Sequence, residues 1–268
     1  MHSTLYAQVF AVQTSHWWGR NRRRLSLDLL RRFGLGAGCR HLDFGCGTGQ
    51  NLRLLEGLRP SFTVGADLSP IALEFARKAY PDCRLVRLDA NRTLPFPENC
   101  FDVVTIFNVL YHAWIVSDLN VLKEIERVLT PEGVLLITEP AFQVLAREVD
   151  IADMAERRYR LQPFVEMLRA AGFDVLFANY FTSFGAVLIF LMKAFKTLVH
   201  RPANADDPPD MRSLPSFLNE ALFRLAQAEA ALVRASAPMP FGTTIICLAQ
   251  PRGVAVVNEP SGTQRRSG

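Results

Sequence analysis

Absences narrow this chain before any motif does. Its 268 residues hold five cysteines (Cys39, Cys46, Cys83, Cys100, Cys247), with no C-x-x-C pair and no histidine spacing that suits a metal. A disulfide scaffold and a zinc module are thereby excluded, no metal is expected, and reduced thiols point to a cytoplasmic setting. Residues 1 to 20 lack a continuous apolar core behind a basic start, so no signal peptide is expected. The apolar stretch Ala186 to Met192 is seven residues long, far short of a span, and Lys193 and Lys196 interrupt the helix beyond it. A net charge of only +4 leaves no nucleic-acid footprint. The arginines that are present cluster, with Arg20, Arg22, Arg23, Arg24, Arg31 and Arg32 in one N-terminal helix. They read as a solvated face whose stems cover the core, with attraction to anionic lipid or a phosphorylated substrate as the alternative.

Against those absences stands one dense motif. The β-type run His41-Leu42-Asp43-Phe44 breaks into Gly45-Cys46-Gly47-Thr48-Gly49, and Asp67 closes a second run 18 residues after the last glycine. Glycines at a strand end let the backbone turn sharply and let a ligand approach where a Cβ would collide. A helix predicted from about Thr48 would aim its free N–H groups into that turn. A carboxylate at Asp67 suits the two hydroxyls of a ribose, so the turn reads as a nucleoside site. The dinucleotide fingerprint G-x-G-x-x-G is not met, because Gln50 stands where its third glycine belongs. Asp43 at the lip suits a cationic amine or sulfonium better than a pyrophosphate.

On these residues the chain resembles the class I S-adenosylmethionine (SAM) dependent methyltransferases, whose first motif is similar to HLDFGCGTG. The resemblance implies SAM as cofactor, held by Asp43, Gly45, Cys46, Gly47, Gly49, Asp67, Leu68, Asp89, Ala90 and Asn108, with Asp89-Ala90 beside the adenine. Asn108-Val-Leu-Tyr-His112 resembles the family's fourth motif, Tyr111 replacing its glutamate. It makes His112 the candidate general base and Tyr111 its hydrogen-bonding partner; a loop-orienting role for His112 is the alternative. Ser15-His-Trp-Trp-Gly-Arg and Pro240-Phe-Gly-Thr are similar to a bacterial subgroup associated with envelope and polysaccharide clusters, so the resemblance covers about residues 15 to 250. Arg157-Arg158-Tyr159 resembles the same subgroup and implies an acceptor-binding clamp, with a plain surface ion pair to Glu156 as the alternative. Asp150 fits that pattern, while Ala155 and Glu156 depart from it. The alternatives are a SAM-binding scaffold that has lost chemistry and, further off, a dinucleotide oxidoreductase.

Strand and helix alternate from Arg40 to Tyr180, which predicts an α/β, Rossmann-like, doubly wound sheet of seven strands, the last antiparallel. Val103 to Asn108 is apolar enough for a buried parallel strand, Ser117 caps a helix to Leu129, and Val134 to Thr138 is the fifth strand. The sixth strand, Phe173 to Tyr180, and the seventh, Thr243 to Ala249, lie about sixty residues apart, which a bare loop does not span in a compact domain. Helices over 184–199 and 216–235, joined by the polar link Arg201 to Pro215, fill the interval. The first of them reads as a buried cap helix, with a lipid-interfacial helix as the alternative. The expected organisation is therefore an arm over 1–39, a SAM-binding core over 40–180, a helical cap over 181–240, a final strand over 241–250 and a disordered tail over 251–268. The acceptor is expected to be a small or lipid-linked metabolite (a glycan, isoprenoid or secondary-metabolite intermediate), with peripheral contact at the inner membrane face as a partner surface.

Overall fold

The computed structural model describes residues 15–146, 156–198 and 214–253. Most of the expected polar link, Asp150, Ala155 and the tail beyond Gly253 lie outside the described residues. The elements run α1 (Trp17–Arg32), β1 (Arg40–Phe44), β2 (Phe62–Asp67), α2 (Pro70–Ala79), β3 (Arg84–Arg87), β4 (Phe101–Phe107), α3 (Asp118–Val128), β5 (Leu129–Pro140), α4 (Leu161–Ala170), β6 (Phe173–Phe181), α5 (Ser183–Leu198), α6 (Ser216–Arg234) and β7 (Thr244–Pro251). The strands form one sheet in the order β3-β2-β1-β4-β5-β7-β6, with β7 antiparallel to both neighbours. The order reverses between β1 and β4, which places the ligand crevice outside their carboxyl ends.

Alternation along the strands separates two cores. Leu42, Phe44, Val104, Ile106, Leu135 and Ile137 face α3 and α4, packing on Val121, Leu122, Ile125, Val128, Phe164 and Leu168. The intervening residues Val103, Phe107, Val134 and Leu136 face α1 and α6, against Leu25, Leu29, Leu30, Ala230 and Val233. Each fully buried side chain contributes roughly 1.5–3 kcal/mol by leaving water. Ser69 and Ser117 cap α2 and α3 by accepting the N–H groups of Ala72 and Asn120, with Pro70 in the first turn of α2.

One expected helix does not form. From Gly49 to Leu58 the chain advances through i→i+3 bonds (Leu52 to Gly49, Leu54 to Asn51, Leu58 to Leu55), ending in a 3₁₀ turn at Glu56–Leu58. Gly49 sits at φ +90°, outside helical space, so a helix cannot start at Thr48. A Cβ on Gly49 would lie 2.8 to 3.0 Å from Tyr80, Leu52 and Ala76. Glycine here serves close packing, and Leu52, Leu54 and Leu55 are buried by a tighter winding than the α-helix allows.

α6 lies along α1 and is tied to it by polar bonds. Trp17 N–H donates to Asn219 (2.8 Å), Gln227 to Asn21 (2.7 Å), and Arg234 pairs with Asp28 (2.9 Å). The Glu229 carboxylate of α6 accepts the N–H groups of Ser183 and Phe184, capping α5 where its dipole favours a negative charge. α5 leaves the carboxyl end of β6 and reaches the turn after β5, where Lys193 donates to the carbonyls of Val144 and Ala146. It is not the buried helix expected: Val187, Leu188, Phe190, Leu191 and Met192 are about half exposed. The i, i+3, i+4 pattern could not reveal this, because the run is apolar on every side. Among the described residues no helix is long and apolar enough to cross a membrane.

Candidate functional site

Four strand ends converge on the crevice. At β1, Gly45 adopts φ +73° and its missing Cβ would lie 2.2 Å from Val109, so the glycine lets the loops after β1 and β4 touch. Gly47, at φ +54°, opens instead onto free space, the only place in this turn where a ligand meets bare backbone. Gly47 N–H donates to Asp67 Oδ2 and Ser69 N–H to Oδ1, each at 2.8 Å. A carboxylate has about four acceptor sites, so Asp67 keeps capacity for a ribose hydroxyl beyond the backbone N–H groups it already accepts. Burial raises the Asp67 carboxyl above its ordinary range, against the backbone bonds that lower it.

Asp43 is buried and linked inward. The Thr105 hydroxyl donates to its Oδ1 (2.9 Å), and His41 Nε2 lies 2.9 Å from the same hydroxyl oxygen. Thr105 spends its one proton on Asp43, so His41 donates to it from Nε2. Burial pushes His41 down to about 3. Burial lifts Asp43 to about 7, the Thr105 bond and Arg22 opposing, and its Oδ2 has no hydrogen-bond partner.

The other expected cofactor residues divide. Leu68 is partly exposed beside Asp67 and Ala90 is partly buried after β3, as flanks of a base require. Asp89 accepts the Asn91 N–H, and Asn91 in turn donates to the Trp114 carbonyl (2.9 Å) and accepts the Val116 N–H (2.8 Å). Asp89 thus joins the loops after β3 and β4. Cys46 turns its thiol into a cluster with Leu52, Leu73 and Ala76, and burial raises its pKa. Asn108 turns the chain at φ +58°, a left-handed conformation asparagine tolerates, and accepts the Thr138 hydroxyl (3.3 Å).

Past Asn108 the rings of Tyr111, His112 and Trp114 form a stack, with centroids 4.0 and 3.9 Å apart. Beneath them lies Glu139, which sequence reasoning missed. It is fully buried at the end of β5, and its Oε1 accepts the N–H groups of Val109 (3.0 Å) and Leu110 (2.9 Å). Burial pushes its carboxyl up to about 8, and Oε2 has no partner. The available signal was an acid continuing an unbroken apolar strand, Val134 to Thr138. Arg22 was misjudged as well: it is buried on α1, not solvated. Gly19, Arg22, Ser26 and Leu29 recur every three or four residues, which puts Arg22 on the inward stripe.

The expected acceptor clamp has another task. Arg157 pairs with Asp118 (2.5 Å) and donates to the His112 and Ile115 carbonyls, while Tyr159 donates to the other oxygen of Asp118 (2.9 Å). Both therefore fasten the loop after β4 to the start of α3, and Arg158 donates to the Ala141 carbonyl. The tryptophans behave as packing anchors: Trp17 lies 5.2 Å from Phe184 of α5, and Trp18 lies under Arg22.

These residues fit SAM: bare backbone at Gly47, acceptor capacity at Asp67, and unpaired buried atoms on Asp43 and Arg22. Residues 42–137 match a family model described as a methyltransferase domain. The chain is 30% identical over 169 residues to trans-aconitate 2-methyltransferase of Enterobacter sp. strain 638, covering 59% of this chain and 66% of that one. The Escherichia coli O157:H7 (strain EC4115) protein of the same name is 32% identical over 134 residues, 48% and 52% of the two chains. The match thus spans between half and two thirds of these relatives' length. Among solved structures, the 4+2 cyclase SpnF superposes with a TM-score of 0.57 at 23% identity (93% and 95% covered). Phosphoethanolamine N-methyltransferase 2 of Haemonchus contortus, in complex with SAM, gives 0.53 at 20% identity (84% and 52% covered). The match identifies residues 42–137 as a methyltransferase domain, of the class I SAM-dependent kind that the sheet order and the glycine turn also fit.

Proposed function

We propose that this protein transfers a methyl group from SAM to a small-molecule acceptor held under a cap formed by α1, α5 and α6. SAM supplies, when bound, a methyl group activated by its sulfonium. The chain's own residues then have to orient an acceptor and exclude water, since in-line displacement needs little else. Asp67 receives the ribose hydroxyls, Leu68 and Ala90 flank the base, and the ring stack of Tyr111, His112 and Trp114 borders the acceptor side. His112 serves as base where the acceptor must lose a proton.

The observation that carries the reading is the convergence of Gly47, Asp43 and Asp67 on one crevice beside that stack. The half-exposed apolar face of α5 supports an acceptor with an apolar part, such as a lipid-linked glycan, isoprenoid or secondary-metabolite intermediate, and peripheral contact with a membrane face. The relatives' names favour a small organic acid instead. A SAM-binding scaffold is the second reading, favoured by Tyr111 in place of the family's glutamate.

Calorimetry with SAM tests the site: Asp67→Ala should weaken binding by about 1.5–3 kcal/mol, the scale of lost charge-assisted hydrogen bonds. Equal binding by the variant would sink the assignment. Transfer of labelled methyl to acids and to lipid extracts, with and without residues 183–240, sorts the acceptor classes. His112→Ala should lower kcat about 10²–10⁴-fold at unchanged SAM affinity.

A further inference from the structure

Arg22 is a buried cation with an unpartnered donor. Only 6% of it is exposed, and its Nε is buried without a hydrogen-bond partner. Its guanidinium carbon lies 4.5 Å from the Trp18 ring and 4.8 Å from the Phe107 ring. Two aromatic faces fix the plane of the group and cover it, leaving its edge, where the N–H donors are, to meet a partner. A buried cation is tolerated when paired and hydrogen-bonded. The carboxyl groups near enough to act on it are Asp43 and Glu139, and the described ion pairs include none from it to either. Asp43, on the same face of the sheet through Thr105 and Phe107, has an unpartnered Oδ2 of its own.

A buried guanidinium and a buried carboxylate, each with an unsatisfied atom and not bonded to each other, complement a ligand that carries both charges. An α-amino acid is such a ligand. We propose that Arg22 binds the carboxylate at the amino-acid end of SAM while Asp43 receives its ammonium group. The proposal rests on the SAM reading of the crevice and adds a cofactor contact from outside the glycine turn. It also gives α1 a specific task, since the helix that carries Arg22 is the one fastened to α6 and through Glu229 to α5. A carboxylate on the acceptor would satisfy the same guanidinium, and the two sources separate experimentally.

The experiment is calorimetric titration of the full chain and of Arg22→Gln and Arg22→Lys with SAM and with decarboxylated SAM. The second ligand keeps the adenosine, sulfonium and ammonium and lacks only the carboxylate. The wild-type protein should prefer SAM by about 10- to 100-fold, the range of charge-assisted bonds to a buried arginine. Arg22→Gln should abolish that preference by weakening SAM alone, and Arg22→Lys should keep part of it. A preference that survives in Arg22→Gln overturns the proposal, as does an equal loss of both ligands, which would make Arg22 a support of the pocket wall. Unchanged SAM affinity with lost turnover would move the contact to the acceptor and overturn it too. A wild-type protein that binds neither ligand defeats the SAM reading itself, a result distinct from all of these.

Discussion

Helices α1 and α3 cover the same sheet from opposite faces, yet their buried sides have little in common. α3 buries Val121, Leu122, Ile125 and Val128, all apolar, and its polar groups stay on the far face. α1 buries Leu25, Leu29 and Leu30 together with Gly19, Asn21, Arg22 and Ser26. Burying a polar group costs free energy unless it is bonded, and Arg22 Nε and Ser26 Oγ are not. One helix is built to hold the sheet; the other accepts a penalty to bring charge to the strand ends. The difference teaches where to look for function in a domain whose core is otherwise ordinary.

The comparison can be broken at either helix. Ile125→Ala on α3 removes packing with no compensating gain and should cost about 2–5 kcal/mol in denaturant unfolding, with SAM affinity retained in the folded fraction. A loss below about 1 kcal/mol would deny α3 its holding role. Next in size is pH. Glu139 titrates at about 8 when folded and near its ordinary 4.5 when unfolded, so the native state binds the extra proton between those values. The share of stability that Glu139 contributes without ligand should therefore be full below about 4.5 and be lost as pH rises to 8, by at most about 1.4 kcal/mol per unit, and Asp43, raised to about 7, adds a loss of the same sign. Glu139→Gln should reduce that slope to the part Asp43 supplies, and a slope identical in the variant would assign it wholly to other groups.

Arg22→Met on α1 should leave unfolding stability unchanged or raise it by about 1–2 kcal/mol, since an apolar chain of similar length replaces an uncompensated charge. A loss above about 2 kcal/mol would make Arg22 structural and erase the contrast between the helices. Smallest is the cap: Ser117→Ala should cost about 1 kcal/mol through the lost bond to Asn120 N–H. Thermal unfolding resolves a change of that size.

What could be read from the sequence was whatever depends on local geometry. The glycine turn, Asp67, the Ser117 cap and the alternation of strand and helix are local, and the sheet with its antiparallel last strand forms as expected. What could not be read depends on partners remote in sequence. Arg157 and Tyr159 looked like an exposed clamp because Asp118, which takes both, lies some forty positions away. The helix expected at Thr48 fails because Gly49 is packed by Tyr80 and Ala76. Glu139 was hidden because its partners, the N–H groups of the loop after β4, carry no side-chain signal.

The bonds between α1 and α6 join residues 200 to 206 positions apart. On the ribosome, α1 emerges long before the helix that fastens it. At about 5–20 residues per second, some ten to forty seconds separate the two. Through that interval the sheet can assemble from its early strands while Arg22 has no fixed seat beside Asp43. α6, and after it β7, which closes the sheet between β5 and β6, then seat α1, and if Arg22 holds the amino-acid end of SAM, a nascent chain stalled before α6 should carry the glycine turn without grip on that end.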